Sequence, residues 1–409
     1  MVDIATPTRG EGAAALPCSV ASIGPVDLAV GSTAPLHIAT YASLAADGIA
    51  APAQTAEWIG CWIKNAVPDC VIATITAEGR PVWSLALEIV PFGPVRCARF
   101  MGGKHANGNF PAGDRQYLPS LSRAQVESLC EAIGRARPDI DLLWLERLAP
   151  EIEGVRNPLL QLDHSPSPNL ALAVTLTGGF DAVLKRGSAK RRQKKHRSQT
   201  RKFEAAGGFR RVQAESPQEI DRLLDAFFAM KGHRFRKMGV ADAFGEEPIR
   251  AFFRDLFRSG LVGNRRFVLH GLEVAGRLRA VTGSSTCGDR LVCEFGAIAE
   301  DDVAHASPGD FLFFENIREA ADGGFALYDF SVGDEPYKRL WCDTEITHYD
   351  VLQPLTLRGR AYALALRASN RTKGVVKNNP LFWRVVKWLR RRSASSPLPG
   401  AESDDRSGG

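Results

Sequence analysis

Residues 290–312 read RLVCEFGAIAEDDVAHASPGDFL, and the way this run divides decides the fold. Arg290 to Ile298 has the apolar character of a strand. A turn follows and opens a helix with Ser307 at the N-cap, Pro308 at N1 and Asp310 at N3. Ser307 and Asp310 can satisfy orphan amides there, and proline costs nothing at N1. Gly309 lets a ligand approach the backbone closely. A helix N-terminus at the carboxyl end of a strand suits an anion such as a pyrophosphate. Ser-Pro-Gly also opens many helices that bind nothing, so the run by itself fixes structure before function.

Working outward, two more strands precede it, Phe267 to Ala275 and Leu278 to Thr286. Ala275–Gly276 and Cys287–Gly288–Asp289 are hairpin joints, so an antiparallel meander is predicted. Upstream lie a strand at Leu170 to Thr177, a basic helix from Ser188 to Ala206 stopped by Gly207–Gly208, and a short strand at Phe209 to Gln213. Helices at Pro217 to Lys237 and Glu246 to Ser259 follow. Downstream, a helix from Pro308 to Ala321 ends at Gly323–Gly324, a strand spans Ala326 to Phe330, and a last strand is expected at Glu345 to Leu352. This order predicts an α/β fold of the mixed-sheet, α+β kind and does not fit one doubly wound sheet.

The chain has 409 residues, more than one ordinary core accommodates. Its first half carries helices at Thr55 to Ala66 and Arg123 to Ala136. Its strands are expected at Val71 to Thr76, Trp83 to Val90 and Ile140 to Glu146. Asp163 to Asn169 (DHSPSPN) reads as a linker. The expected divisions are a loose leader at 1–25, domains at 26–165 and 166–357, basic helices at 358–392 and a polar tail at 393–409. Hydrophobic residues make up 44% and charged residues 24%, an ordinary globular balance. The eight cysteines form no CxxC pair and no zinc spacing, so no metal is expected. No signal peptide or apolar run of membrane-spanning length is read, which predicts a cytoplasmic chain.

Chemistry concentrates in a second segment, Tyr328 to Trp341, YDFSVGDEPYKRLW. Asp329, Asp334, Glu335, Tyr337, Lys338 and Arg339 cluster where a strand ends, the usual place for ligands in such folds. A solvated acidic turn is the plainer reading. Taken in order, the SPG helix start and this stretch resemble the acetyltransferase-fold (GNAT-like) family associated with cellulose biosynthesis, the CelD-like proteins. That family is related in fold to the Fem-type peptidoglycan aminoacyl transferases. LKRGSAKRRQKKHRSQTRKFEAAGG, HRFRKMG, WIGCWI and GGKHANGNF extend the resemblance from about Ala56 to Gln353, with DFSVGDEPYKRLW its specific part.

The resemblance implies two tandem GNAT-like domains, the second catalytic, and acetyl-CoA or another acyl-CoA as donor. It implies that the strand holding Ala297 and Ile298 runs beside the pantetheine arm. The turn with Ser307, Gly309 and Asp310 would cradle the pyrophosphate, with Lys338 holding a phosphate or a substrate carboxylate. The usual Q/R-x-x-G-x-G/A loop is replaced by His305-Ala-Ser-Pro-Gly-Asp. That departure keeps an aminoacyl-tRNA donor, or a non-catalytic scaffold, as alternatives.

Transfer to an amine needs a base, because an ammonium near pKa 10 must lose a proton before attack. Glu294, facing away from Cys293 and Phe295, is the first candidate and Asp329 the second, with Asp334 beside them. A strand amide near Ala297 or Ile298 would serve the oxyanion, and Tyr337 is the phenol available to the leaving thiolate. The expected acceptor is a small molecule or glycan precursor of the cell envelope.

Ten Lys/Arg between Lys185 and Lys202 invite a nucleic-acid reading. No aromatic interleaves them before Phe203, so a solvated helix face is preferred. The segment Asn379 to Arg392 mixes Trp and Leu with basic residues, and either docks on its own domain or lies peripherally on an anionic membrane.

Overall fold

The computed structural model describes residues 26–31, 35–262 and 265–378. The leader at 1–25, the segment Asn379 to Arg392 and the tail at 393–409 lie outside the described residues. The first half comprises β1 (Val26–Gly31), α1 (Pro35–Asp47), α2 (Ala56–Ala66), β2 (Cys70–Ala77), β3 (Arg80–Phe92), β4 (Val95–Phe100) and β5 (Ala112–Gly113). After these come α3 (Arg123–Ala136), β6 (Leu142–Leu148), the small hairpin β7 (Glu151–Ile152) and β8 (Val155–Arg156), and β9 (His164–Pro166). Thr55 and Ser122 start α2 and α3 as side-chain caps, the latter in a capping box with Gln125.

The second half runs β10 (Ala171–Thr175), α4 (Gly179–Arg186), α5 (Ala189–Ala205), β11 (Phe209–Gln213), α6 (Pro217–Met238), α7 (Glu247–Ser259), β12 (Phe267–Val274), β13 (Arg277–Cys287) and β14 (Arg290–Ile298). It continues with α8 (Pro308–Asp322), β15 (Leu327–Val332), α9 (Pro336–Arg339), β16 (Thr344–Ile346), β17 (Tyr349–Pro354) and α10 (Leu357–Asn378). The meander β12–β13–β14 and its hairpin joints stand as the sequence predicts.

Two mixed sheets result, and they share one plan. In each, a three-stranded antiparallel meander is followed by a helix and then by a strand that returns parallel to the last meander strand. These are β2–β3–β4, α3 and β6 in one sheet, and β12–β13–β14, α8 and β15 in the other. An antiparallel strand then flanks each returning strand: β17 beside β6, and β10 beside β15.

That last pairing departs from the expectation of one final strand at Glu345 to Leu352. The segment splits. Thr344–Ile346 joins the second sheet through β10, while Tyr349–Pro354 crosses to the first sheet between β6 and β9. A boundary placed at 165/166 therefore does not sort the strands into their sheets. The crossing is fixed by pairing on both sides of β17 and by Asp350, whose carboxylate accepts from the Arg147 amide at 2.9 Å and from Ser167.

The halves also share a core. Trp58, Ile59 and Trp62 of α2 pack in one buried cluster with Phe252, Phe257, Phe267 and Phe295. Trp58 and Trp62 meet Phe252 edge-on at 5.0 and 4.9 Å between ring centroids. Lys64 and Asp255 pair at the rim at 2.7 Å. Truncating Trp58 to Ala should cost about 3–5 kcal/mol, as large-to-small core changes do. Because the core is common, urea unfolding of the wild-type chain should show one transition. Two well-separated transitions would contradict the shared core.

Candidate active site

A narrow cleft of about 40 Å³ opens between the face of the second sheet and the first half. From the sheet come Arg290, Val292 and Glu294 of β14 with Asp329 and Ser331 of β15. Asn107 and Gly108, the turn at Ala51 to Ala53, and His348 close it from the other side. Strand alternation explains the β14 set. Leu291 and Cys293 are buried on the opposite face, against α8, while Arg290, Val292 and Glu294 look into the cleft. The expectation that Phe295 shares the Cys293 face fails, because Phe295 returns to the Glu294 side and packs in the core shared with α2.

Two irregularities aim the acidic side chains. Gly283 pairs with Phe295 but Ser284 with Cys293, so Glu294 is the extra residue of a β-bulge. A second register shift lies in the β10–β15 pairing, and there Ser331 adopts a φ of 61°, rare for a residue with a side chain. The bulges touch, because the Ser331 hydroxyl donates to the Cys293 carbonyl. Pairing of β14 with β15 ends at Val292 and Asp329. Beyond it the strands separate.

Glu294 accepts hydrogen bonds from Ser285 Oγ at 2.5 Å and from Asn107 Nδ2 at 2.8 Å; that same amide also donates to the Glu294 main-chain carbonyl at 2.9 Å. Burial pushes its carboxyl up to about 7, against the pull of those two donors and with a further push from Asp329. Asp329 is itself raised by burial, although its carboxylate accepts from the Ser331 amide at 2.7 Å. The two leading sequence candidates are thus brought to one cleft.

The others are not. Asp334 is turned outward and paired with Arg339 at 2.5 Å. Tyr337 stacks on Phe313 at 5.6 Å on the other face of the sheet, and burial pushes its hydroxyl up. Lys338 is buried, and its ammonium donates to the carbonyls of Ser331, Val332 and Gly333 at 3.3, 3.0 and 3.2 Å while pairing with Glu335 at 2.9 Å. With its three donors so engaged it clamps the end of β15 and is not free for a phosphate.

Ala297 and Ile298 end β14, past the point where it leaves β15. Ser307 does occupy the N-cap of α8, but at φ 55° it lies in the left-handed region and its hydroxyl caps nothing. An N-cap side chain reaches the helix amides from extended backbone, which explains the miss. Asp310 pairs with Lys195 at 2.9 Å, and Gln199 donates to the carbonyls of Ala306 and Ser307. Gly309 meets a packing demand of its own, since a Cβ there would stand 2.6 Å from Ile298 Cγ2.

Asn107, Ser285, Ser331, Arg290 and His348 were not singled out individually by sequence reading. Only Asn107 left a trace, in the glycine-rich GGKHANGNF loop. Its neighbour His105 is packed among Trp62, Phe244 and Phe253 and held neutral by burial, pushed down to about 4. Among the described residues no group of His, Cys, Asp and Glu is disposed to hold a metal ion. No described helix is long and apolar enough to cross a membrane.

Residues 189–339 match the family model of the acetyltransferase (GNAT) domain. The second half carries a GNAT-fold domain. The crystal structure of FemX is similar at a TM-score of 0.53 and 12% identity, covering 82% of this chain and 99% of that one. A conserved protein of unknown function from Bacteroides thetaiotaomicron VPI-5482 is similar at 0.50 and 12%, covering 77% and 97%. At such identities the likeness is one of fold. No curated protein matches the chain in sequence.

Glu294 supplies a pH test. Its folded pKa lies above its ordinary value of 4.5, so the stability associated with its protonated form is complete below about 4.5 and is lost as pH rises towards 7. Glu294→Gln should therefore melt with the wild type near pH 4.5 and above it at pH 8. Asn107→Ala removes a donor to the charged form and should move the Glu294 midpoint higher in a carboxyl-detected NMR titration. A pH-independent offset in melting, or an unmoved midpoint, would refute the assignment.

Proposed function

We propose that this chain is an acyltransferase in which Glu294 is the general base for attack of an amine on an acyl-CoA thioester. The observation that carries the reading is the bulged, enclosed Glu294, with a carboxyl poised near neutral pH at the point where β14 and β15 part. A base is most effective when its pKa lies near the working pH. The GNAT domain match over residues 189–339 supports acyl transfer and a CoA-type donor.

In the proposed reaction the acceptor nitrogen attacks the thioester carbon and Glu294 takes its proton. The C–N bond forms as the carbonyl becomes an oxyanion, and an amide at the free edge of β14, at Ala297 or Ile298, stabilises it. Collapse breaks the C–S bond. A thiolate with a pKa near 8.5 leaves without a strong acid. Tyr337, stacked on Phe313 on the other face of the sheet, takes no part in this step. Asp329 tunes Glu294 through its charge.

The donor phosphates are assigned to the turn before α8, flanked by the cations of α5. Ser307 and Asp310 contribute backbone there, since the Asp310 side chain already pairs with Lys195. An acceptor from envelope or polysaccharide assembly follows the CelD-like resemblance of the DFSVGDEPYKRLW stretch, and a cytoplasmic setting follows the sequence reading of no signal peptide and no apolar run of spanning length. One observation favours a second donor, aminoacyl-tRNA: Lys190, Lys194, Arg197 and Arg201 form no ion pair among the described residues and line an exposed face of α5. Transfer from charged tRNA that weakens steeply with salt, with no binding of acetyl-CoA, would favour it.

Calorimetric titration with acetyl-CoA, followed by a thiol-release assay, tests the first reading. Glu294→Gln should lower kcat/KM by about tenfold or more, the low end of general-base effects. Asp334→Asn, turned away in its pair with Arg339, should stay within about twofold of wild type. Undiminished turnover in Glu294→Gln removes it from the mechanism.

A further inference from the structure

The cleft holds two polar groups that acyl transfer to a bare amine does not use. Arg290, half-buried at the start of β14, points into the same space as Glu294 on the alternation that carries Val292 between them. Its guanidinium forms no hydrogen bond or ion pair among the described residues, although Asp329 and His348 are near enough to feel its charge. Five donors on a planar fork are left without a protein acceptor.

His348 faces it from the segment between β16 and β17. The residue is 5% exposed, its backbone is held by the Ser167 amide at 2.8 Å, and its buried Nδ1 has no partner. Burial, with Arg147 and Arg290 adding to it, pushes the imidazole down to about 4, so at neutral pH it offers one N–H and one lone pair. On the Nε2 side the backbone of Gly108 lies close, and a Cβ there would stand 3.4 Å from His348 Nε2.

An unpaired buried polar atom costs free energy, and an arginine fork is matched best by a carboxylate or phosphate. We propose that Arg290 and His348 form an oxyanion subsite, and that the acceptor is an amine carrying a carboxylate or phosphate group on the same small skeleton. The oxyanion takes the guanidinium fork and the imidazole, which leaves the amine directed at Glu294. This rests on the reading of the cleft as an acyl-transfer site, and it narrows the acceptor to amino-acid-like or phosphoamine molecules. Lys338, the residue the sequence suggested for such a group, is committed to the end of β15.

The test uses the full chain and matched amine pairs: glycine with glycinamide, and O-phosphoethanolamine with ethanolamine. Thiol release from acetyl-CoA should favour the anionic member by about tenfold or more in kcat/KM, mostly through KM, because a site built to bond a group rejects analogues that lack it. Whichever anionic member wins distinguishes carboxylate from phosphate. Arg290→Gln should erase the preference, and Arg290→Lys should recover part of it. Ligand-observed NMR with the same pairs and no acyl-CoA gives a readout independent of turnover, and an unchanged urea midpoint confirms that the variants fold. If acetyl-CoA does not bind while anionic amines bind through Arg290, the donor reading falls and the subsite stands. Equal use of the neutral partners, a preference that survives Arg290→Gln, or no binding of either class to a chain that binds acetyl-CoA would overturn the proposal.

Discussion

Enclosing the carboxyl of Glu294 between two halves of one chain is the constraint on which the rest of the structure turns. A carboxyl removed from water keeps its proton more tightly and requires donors for its charged form. One donor, Ser285, comes from the neighbouring strand, and the other, Asn107, comes from a loop of the first half. The position of the first half therefore enters the acid–base chemistry directly. The aromatic core joining α2 to α7 and the meander holds that position, with Trp58 and Phe252 at its centre.

The second requirement is that two strands part at the right residue. Parallel pairing of β14 with β15 stops after Val292, and a bulge on each side keeps the opening in place. Ser331 bears an unfavourable φ of 61°, offset by its hydroxyl bond to Cys293 and by Lys338 beneath the carbonyls that follow. The specific DFSVGDEPYKRLW stretch is thus largely a device for shaping a strand end. Of its charged groups, only Asp329 faces the cleft.

That distinction explains how far the sequence could be read. The meander, its hairpin joints and the helix at Pro308 follow from alternation, Gly-containing turns and proline at N1, all of them local signals. Glu294 was found because alternation on a strand is also local. Asn107 and His348 escaped because what brings them to Glu294 is contact between distant segments, whereas Arg290 shares the strand face of Glu294 and escaped because a sequence does not show that a guanidinium lacks a partner. Lys338 misled, and Gly309 was ambiguous, for a related reason. A lysine beside acidic residues, and a glycine at a helix start, look alike whether they face a ligand or their own backbone. The crossing of β17 left no trace, since a strand's sequence does not name the edge it will join.

That crossing has a consequence for how the molecule comes into being. The β6 edge, Leu142–Leu148, finds its partner only when Tyr349–Pro354 arrives, and Arg147 and Asp350 lie 203 residues apart. On the ribosome the first sheet emerges early but must wait, with an open edge, until nearly all of the second half has been translated. Open edges of this kind are where nascent chains pair wrongly, and contacts so distant in sequence form slowly. Synthesis through Pro354, rather than completion of the first half, is the event that lets both sheets close together.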